Sequence, residues 1–219
     1  MTLSIVLSFI GEGTTDSRFL PNIAERIVEQ LLIEYNVKAT IQWQHIQKEG
    51  NSSEEVIFNA AKQARFCTTL IVHSDADKAG AKETYKNKIK PALGLIDEAE
   101  EVCKNITVVI PITETEAWLL VDRELLKEEI NTSLSYQDLG LTYQIGRIEN
   151  IADPKKTLND AINVHHSTLS KKRRKSAVTI SQLYEPISQK IKLNDLKVLT
   201  AYVSFKEGIT TSLKSKNII

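Results

Sequence analysis

Three apolar runs that each stop on an acidic cluster constrain this chain more than any other feature. Residues 3–10 lead into Gly11-Glu12-Gly13-Thr14-Thr15-Asp16, residues 69–72 into His73-Ser74-Asp75-Ala76-Asp77, and residues 106–111 into Thr113-Glu114-Thr115-Glu116. Short apolar runs bounded by turn residues read as buried strands. Between them the spacing is helical. Ile23, Ile27, Leu31 and Leu32 predict a helix from an N-cap at Ser17 to about Tyr35, with Pro21 tolerable only in its first turn. Residues 37–46 alternate and predict a half-buried strand at an edge. Ser53 is expected to cap a helix to about Arg65. A polar helix follows Gly80, interrupted near Pro91, and another starts at 114–120 with Trp118, Leu119 and Val121 on its apolar side. Strand–helix alternation over residues 1–130 predicts an α/β fold, a mostly parallel sheet with helices on both faces. Such sheets bind ligands beyond the carboxyl ends of their strands. Carboxylates gathered there repel one another unless a hard cation or a proton offsets them, so a Mg²⁺ site is expected.

The chain has 219 residues, one domain of ordinary size or one domain with an appendage, and 42% hydrophobic content suffices for a core. No stretch approaches a membrane span, so no membrane partner is expected. The start lacks the basic region of a signal peptide. Cys67 and Cys103 make neither a disulfide framework nor a zinc pattern and are expected as buried free thiols, which points to a cytoplasmic location. Net charge is zero but unevenly distributed: residues 1–150 hold 15 Lys+Arg against 23 Asp+Glu, residues 151–219 hold 13 against 5. That asymmetry suggests an anionic partner, nucleic acid above all, or two parts that attract each other. Residues 131–152 read as a connection punctuated by Gly140, Gly146 and Asp153-Pro154. Residues 154–166 and 177–213 read as helical, with Lys171, Lys172, Arg173, Arg174 and Lys175 between them. The expected division is therefore an α/β domain over 1–130 and a small, basic, mostly helical C-terminal appendage over 131–219, packed on it or beside it.

A strand-end Glu12 between two glycines, followed by Asp75-Ala76-Asp77 after a later strand, resembles the Toprim domain of topoisomerases, bacterial-type primases, RNA maturases and OLD-family nucleases. The runs at 12–16, 73–77 and Glu114-Thr115-Glu116-Ala117-Trp118-Leu119-Leu120 narrow the resemblance to small bacterial Toprim-like proteins, some found beside phage-defence genes. It covers about residues 4–122 well and the tail, with Asp153-Pro154-Lys155-Lys156, more loosely. Asp16 stands where many members carry Glu, so a shorter arm would have to reach the site. The resemblance implies Mg²⁺ (or Mn²⁺) on Asp75 and Asp77, acid–base or metal chemistry at Glu12, and a Glu116 that faces the metal. The candidate catalytic residues are Glu12, Asp75, Asp77 and Glu116; the same four with Asp16 are candidate metal ligands. Glu116 and Asp16 also fit the plainer role of first-turn helix acids. Glu114 is expected to be solvated or capping, Trp118 and His73 core, and His165 and His166 surface.

The expected chemistry is Mg²⁺-dependent phosphodiester hydrolysis, a Toprim-type nuclease in a phage-defence or DNA-processing setting. Glu12 acts as base or acid if crowding raises its pKa, or else as a ligand. Lys155, Lys156, Lys171, Lys172, Arg173, Arg174 and Lys175 would contact phosphates without reading sequence. The competing reading is a catalytically degenerate Toprim-like module that binds nucleic acid or protein. No Walker motif occurs, so an ATPase, if one is involved, would be a separate partner.

Overall fold

Strands β1 (Leu3–Ile10), β2 (Ala39–Gln44), β3 (Thr69–His73) and β4 (Ile106–Val109) form one sheet in the order β2-β1-β3-β4, every neighbouring pair parallel. The computed structural model describes residues 3–76, 80–174 and 177–219. Leu7 pairs with Trp43 on one side and Thr69 on the other, and Val72 with Val108. All five residues of β3 are buried, as a strand flanked on both edges and covered on both faces requires. At the edge, β2 alternates exposed Thr40 and Gln42 with half-buried Ala39, Ile41 and Trp43, as its pattern predicts.

Alternation along the strands divides the interior into two cores. Ile5, Leu7, Ile71 and Val109 face one; Ile10, Leu70 and Val72 face the other. Helix α1 (Asp16–Glu34) fills the first with Phe19, Ile23, Ile27 and Leu31. The second is closed by α2 (Ser53–Gln63) and by a composite helix: α3 (Ala81–Thr84), a π-helical turn (Tyr85–Ile89) and α4 (Lys90–Glu98). The chain leaves β1 for β2 on one side and returns to β3 on the other. The crevice beyond β1 and β3 is therefore the switch point where a doubly wound sheet holds ligands.

The remaining helices are α5 (Glu116–Leu119), α6 (Arg123–Ile130), α7 (Pro154–Thr168), α8 (Lys171–Arg174), α9 (Tyr184–Lys190) and α10 (Thr200–Ser215). The C-terminal region is helical, as expected, and it packs on the sheet rather than beside it. Leu158, Tyr184, Tyr202 and Phe205 share the first core with Ile5 and Ile27. Trp118, wholly in that core, meets Phe19, Tyr202 and Phe205 edge-on. Helix α10 lies on β4 and α1, and α9 on α1. Thr107 Oγ1 is 2.8 Å from Ser212 Oγ and 3.1 Å from Thr69 Oγ1, a buried hydroxyl cluster joining sheet to α10. Ion pairs cross the same division: Lys190 with Glu129 at 2.6 Å and Lys155 with Glu116 at 3.3 Å. The opposite charges of the two parts meet within the molecule.

Several local expectations are corrected. Helix α1 begins at Asp16, not after a Ser17 cap, because the Asp16 carboxylate accepts the Gly13 N–H at 3.1 Å and draws the turn in. Pro21 therefore lies inside α1 rather than in its first turn. Ser52, not Ser53, caps α2 by accepting from the Glu55 N–H at 3.1 Å. The break near Pro91 is the π turn just before it. Residues 177–213 are broken by 3₁₀ turns at Ile180–Gln182 and Asp195–Val198. His165 is buried rather than on the surface, and a ring nitrogen of His166 bonds the Val178 carbonyl at 3.0 Å. Cys67 and Cys103 are buried and free. Among the described residues no helix is long and apolar enough to cross a membrane.

Candidate functional site

Among the described residues, Glu12, Asp16, Asp75 and Glu116 lie on the segments that follow β1, β3 and β4. Glu12 sits on the turn after β1. Lys48 pins that turn, donating to the Gly11 carbonyl at 3.3 Å and the Glu12 carbonyl at 3.0 Å. The flanking glycines serve close approach rather than unusual backbone angles. A Cβ on Gly11 would lie 2.8 Å from the Phe9 ring, and one on Gly13 2.8 Å from the Asp16 carboxylate; neither has positive φ. The Glu12 Oε1 accepts from Ser74 Oγ at 2.5 Å and from Lys88 Nζ at 2.7 Å. Burial works to raise the Glu12 carboxyl, but those two bonds outweigh it and hold it below the ordinary glutamate value. Crowding therefore does not turn Glu12 into a neutral acid; it is a stabilised carboxylate.

Asp16, the first residue of α1, is buried, and its shorter arm does reach the centre. Its Oδ2 is 3.8 Å from His73 Nδ1, and His73 Nε2 is 3.3 Å from Asp75 Oδ1. His73 ends β3 with its side chain fully buried and its ring stacked on Phe9, with Thr115 Oγ1 3.4 Å from Nε2. It is a core residue by burial, as expected, yet it stands between two carboxylates. Burial pushes the Asp75 carboxyl above its ordinary range. His73 pulls it down, while Asp16 and Glu116 push it further up. Asp77 lies outside the described residues.

Glu116 opens α5 and is buried. Tyr184 of α9 donates to its Oε1 at 2.6 Å, and Lys155 of α7 approaches the same oxygen at 3.3 Å. Glu114 accepts from the Lys155 backbone N–H at 3.3 Å, in the first turn of α7, whose N-cap is Asp153. Burial and the neighbouring Glu116 raise the Glu114 carboxyl. The C-terminal helices thus deliver a hydroxyl and a cation to the strand-end acids. Beside Glu12 opens a cavity of about 230 Å³, walled by Lys48, Asn51, Ser52, His73, Ser74 and Lys88 over an apolar floor.

The described basic residues do not form one patch. Lys155 is engaged at the centre, and Lys156 pairs with Asp160 at 2.5 Å on the surface of α7. Lys171, Lys172, Arg173 and Arg174 are exposed on α8, where Arg174 bonds the carbonyls of Leu169 and Ser167 at the far end of α7. The length of α7, ~22 Å at ~1.5 Å per residue, separates α8 from the α7 N-terminus where Lys155 meets Glu116. Lys175 lies outside the described residues. Sequence reasoning missed His73, Lys48, Lys88 and Tyr184 as site residues. For His73 the signal was present: it abuts Ser74 and Asp75 at a strand end. For Tyr184 and the lysines no spacing connects them to the acids.

Asp16, His73 and Asp75 each offer a ligand atom, all within 4.8 Å of one another. Among the described residues His73 Nδ1 is buried without a hydrogen-bond partner, and the buried Asp75 Oδ1 has only the 3.3 Å approach of His73 Nε2. Buried polar atoms left unpaired ask for an occupant, so these residues fit a divalent cation. The chain belongs to the family described as Domain of unknown function (DUF4276), whose model matches residues 11–197. That span includes the strand-end acids together with Lys155 and Tyr184. No curated protein and no solved structure matches the chain.

Proposed function

We propose that this chain is a metal-dependent phosphodiesterase acting on nucleic acid, a nuclease of the Toprim type. The observation that carries the reading is the convergence of Glu12, Asp16, Asp75 and Glu116, from three strand ends, at the switch point beside a cavity walled by Lys48 and Lys88. Asp16, His73 and Asp75 would hold the cation, with Asp77 a further candidate. A bound divalent cation supplies activation of water and offsets the charge that develops on phosphorus. The chain's own groups supply the rest. Glu12, kept ionised by Lys88 and Ser74, takes the ligand role rather than that of the base. Lys48 and Lys88 present positive charge to substrate phosphate oxygens in the cavity. Tyr184 fixes Glu116 in one orientation. Lys171, Lys172, Arg173 and Arg174, about one helix length away, give salt-sensitive contacts to more distant phosphates. A cytoplasmic setting fits the two free buried thiols. A role in phage defence or DNA processing, with a separate ATPase as partner, follows from the family resemblance alone.

One observation favours the competing reading of a non-catalytic binding module. Lys88 and Lys155 already neutralise Glu12 and Glu116 without any metal. The deciding measurement is Mg²⁺- or Mn²⁺-dependent cleavage of mixed DNA and RNA by the wild type and by the Asp75→Ala/Asp77→Ala double variant. The nuclease reading expects cleavage by the first and none by the second. Metal-dependent binding without cleavage by either selects the binding module.

A further inference from the structure

We infer that the cavity beside Glu12 binds one unpaired nucleobase, so that the substrate is a single strand or a strand end rather than continuous duplex. This deepens the phosphodiesterase reading and rests on it for the chemistry at the neighbouring phosphate. The cavity has two kinds of wall. One is made around Glu12, with Lys88 Nζ 2.7 Å from its Oε1 and Lys48 Nζ 3.0 Å from its carbonyl oxygen. Charge of both signs is gathered there, which suits a phosphate and its cation. The other is apolar: Ile10 of β1, Val56 and Ile57 of α2, Val72 of β3 and Ile89 of the π turn. A phosphate gains nothing from such a wall, whereas a planar base does. Asn51 and Ser53 line the cavity as well, an amide and a hydroxyl that can meet the polar edge of a base.

The pocket is preformed and small. Gly50, at a φ of +137°, brings the loop before α2 so close that a Cβ there would lie 2.8 Å from the Val56 backbone nitrogen. Glycine permits both the backbone angle and the approach. The Asn51 N–H donates to Glu55 Oε2 at 2.8 Å, and Asn59 Nδ2 to the Glu49 carbonyl at 3.1 Å, which ties the loop to α2 on both sides of Gly50. A volume of about 230 Å³ is below the ~300–1,000 Å³ of pockets for drug-sized ligands. It admits one ring system, not a base pair or two stacked bases. A base in a duplex reaches such a pocket only after leaving its stack and its partner, and an unpaired base is spared that cost.

The test is binding to the full chain of a short fluorescently labelled DNA strand and its RNA counterpart, each alone and annealed to its complement, with Ca²⁺ in place of Mg²⁺ to suppress cleavage. The inference expects at least one unpaired strand to bind tenfold or more tightly than its duplex. Val56→Trp fills the cavity and should weaken that strand at least fivefold, while duplex affinity changes by less than twofold. Ser53→Trp, at the exposed start of α2, takes its place if the first variant does not fold by circular dichroism. Equal affinity for strand and duplex, no binding of either, or a preference that the filled cavity leaves intact would each overturn the inference. A preference abolished by filling the cavity, without Mg²⁺- or Mn²⁺-dependent cleavage by the wild type, would keep the base pocket and remove the nuclease reading. Metal-dependent cleavage of strand and duplex alike would do the reverse.

Discussion

At the scale of single residues, the centre is organised by groups that clamp its carboxylates. The clearest is the Tyr184 hydroxyl, buried and 2.6 Å from Glu116 Oε1. Burial, then the bond to Glu116 and its charge, push the phenol well above the ordinary tyrosine range, so it stays a donor at any working pH. Tyr184→Phe removes that donor and leaves a buried carboxylate with Lys155 as its remaining partner among those described. A hydrogen bond to a charged group contributes about 1.5–3 kcal/mol. The expected result is a loss of that order in chemical denaturation of the metal-free protein. Unaltered stability would mean that the bond contributes nothing. A residue-scale lesson comes from Glu12 and His73. Both were legible as types at strand ends. The state of Glu12 was not, because the Lys88 and Ser74 bonds that lower its carboxyl come from other elements.

Among the elements, α10 shows how a chain segment without motif becomes structural. Its Gly208 would be read as a weak point in a helix, since Gly costs about 1 kcal/mol there relative to Ala. Its Cβ, if present, would stand 3.1 Å from Thr107 Cγ2. Thr107 cannot yield easily, because its hydroxyl is tied to Ser212 at 2.8 Å and Thr69 at 3.1 Å. Overpacking of this kind costs about 1–3 kcal/mol. Gly208→Ala is therefore expected to lower the melting temperature despite its gain in helix propensity. In a Thr107→Ser background, which keeps the hydroxyl and removes the methyl, the same change should become neutral or stabilising. A Gly208→Ala variant that stabilises the wild-type background would show that β4 and α10 have slack. The π turn at Tyr85–Ile89 is a second such element: Pro91 signalled a break, but only the folded helix shows that it carries Lys88 to Glu12.

For the whole molecule, the division expected at residue 130 follows charge and punctuation, whereas the core does not. Leu158, Tyr184, Tyr202, Phe205 and Leu213 lie in the same buried cluster as Ile5, Ile27 and Ile71. A chain ending at residue 130 would expose the face of the sheet that α10 covers, and the side of α1 that α9 and α10 cover. We expect residues 1–130 alone to lose cooperative thermal unfolding and a dispersed amide spectrum. A sharp transition from that fragment would show that the α/β part folds without the C-terminal helices.

The sequence by itself determined the alternation of strand and helix, the parallel sheet with helices on both faces, and the delivery of carboxylates to one end of it. Those follow from local periodicity and from the rule that successive parallel strands present their carboxyl ends together. The tertiary structure decided which groups meet those carboxylates. His73 beside Asp16, Lys88 on Glu12, and Lys155 with Tyr184 on Glu116 are contacts across tens of residues. Charge state depends on distances between side chains, and a linear pattern of residue types contains none.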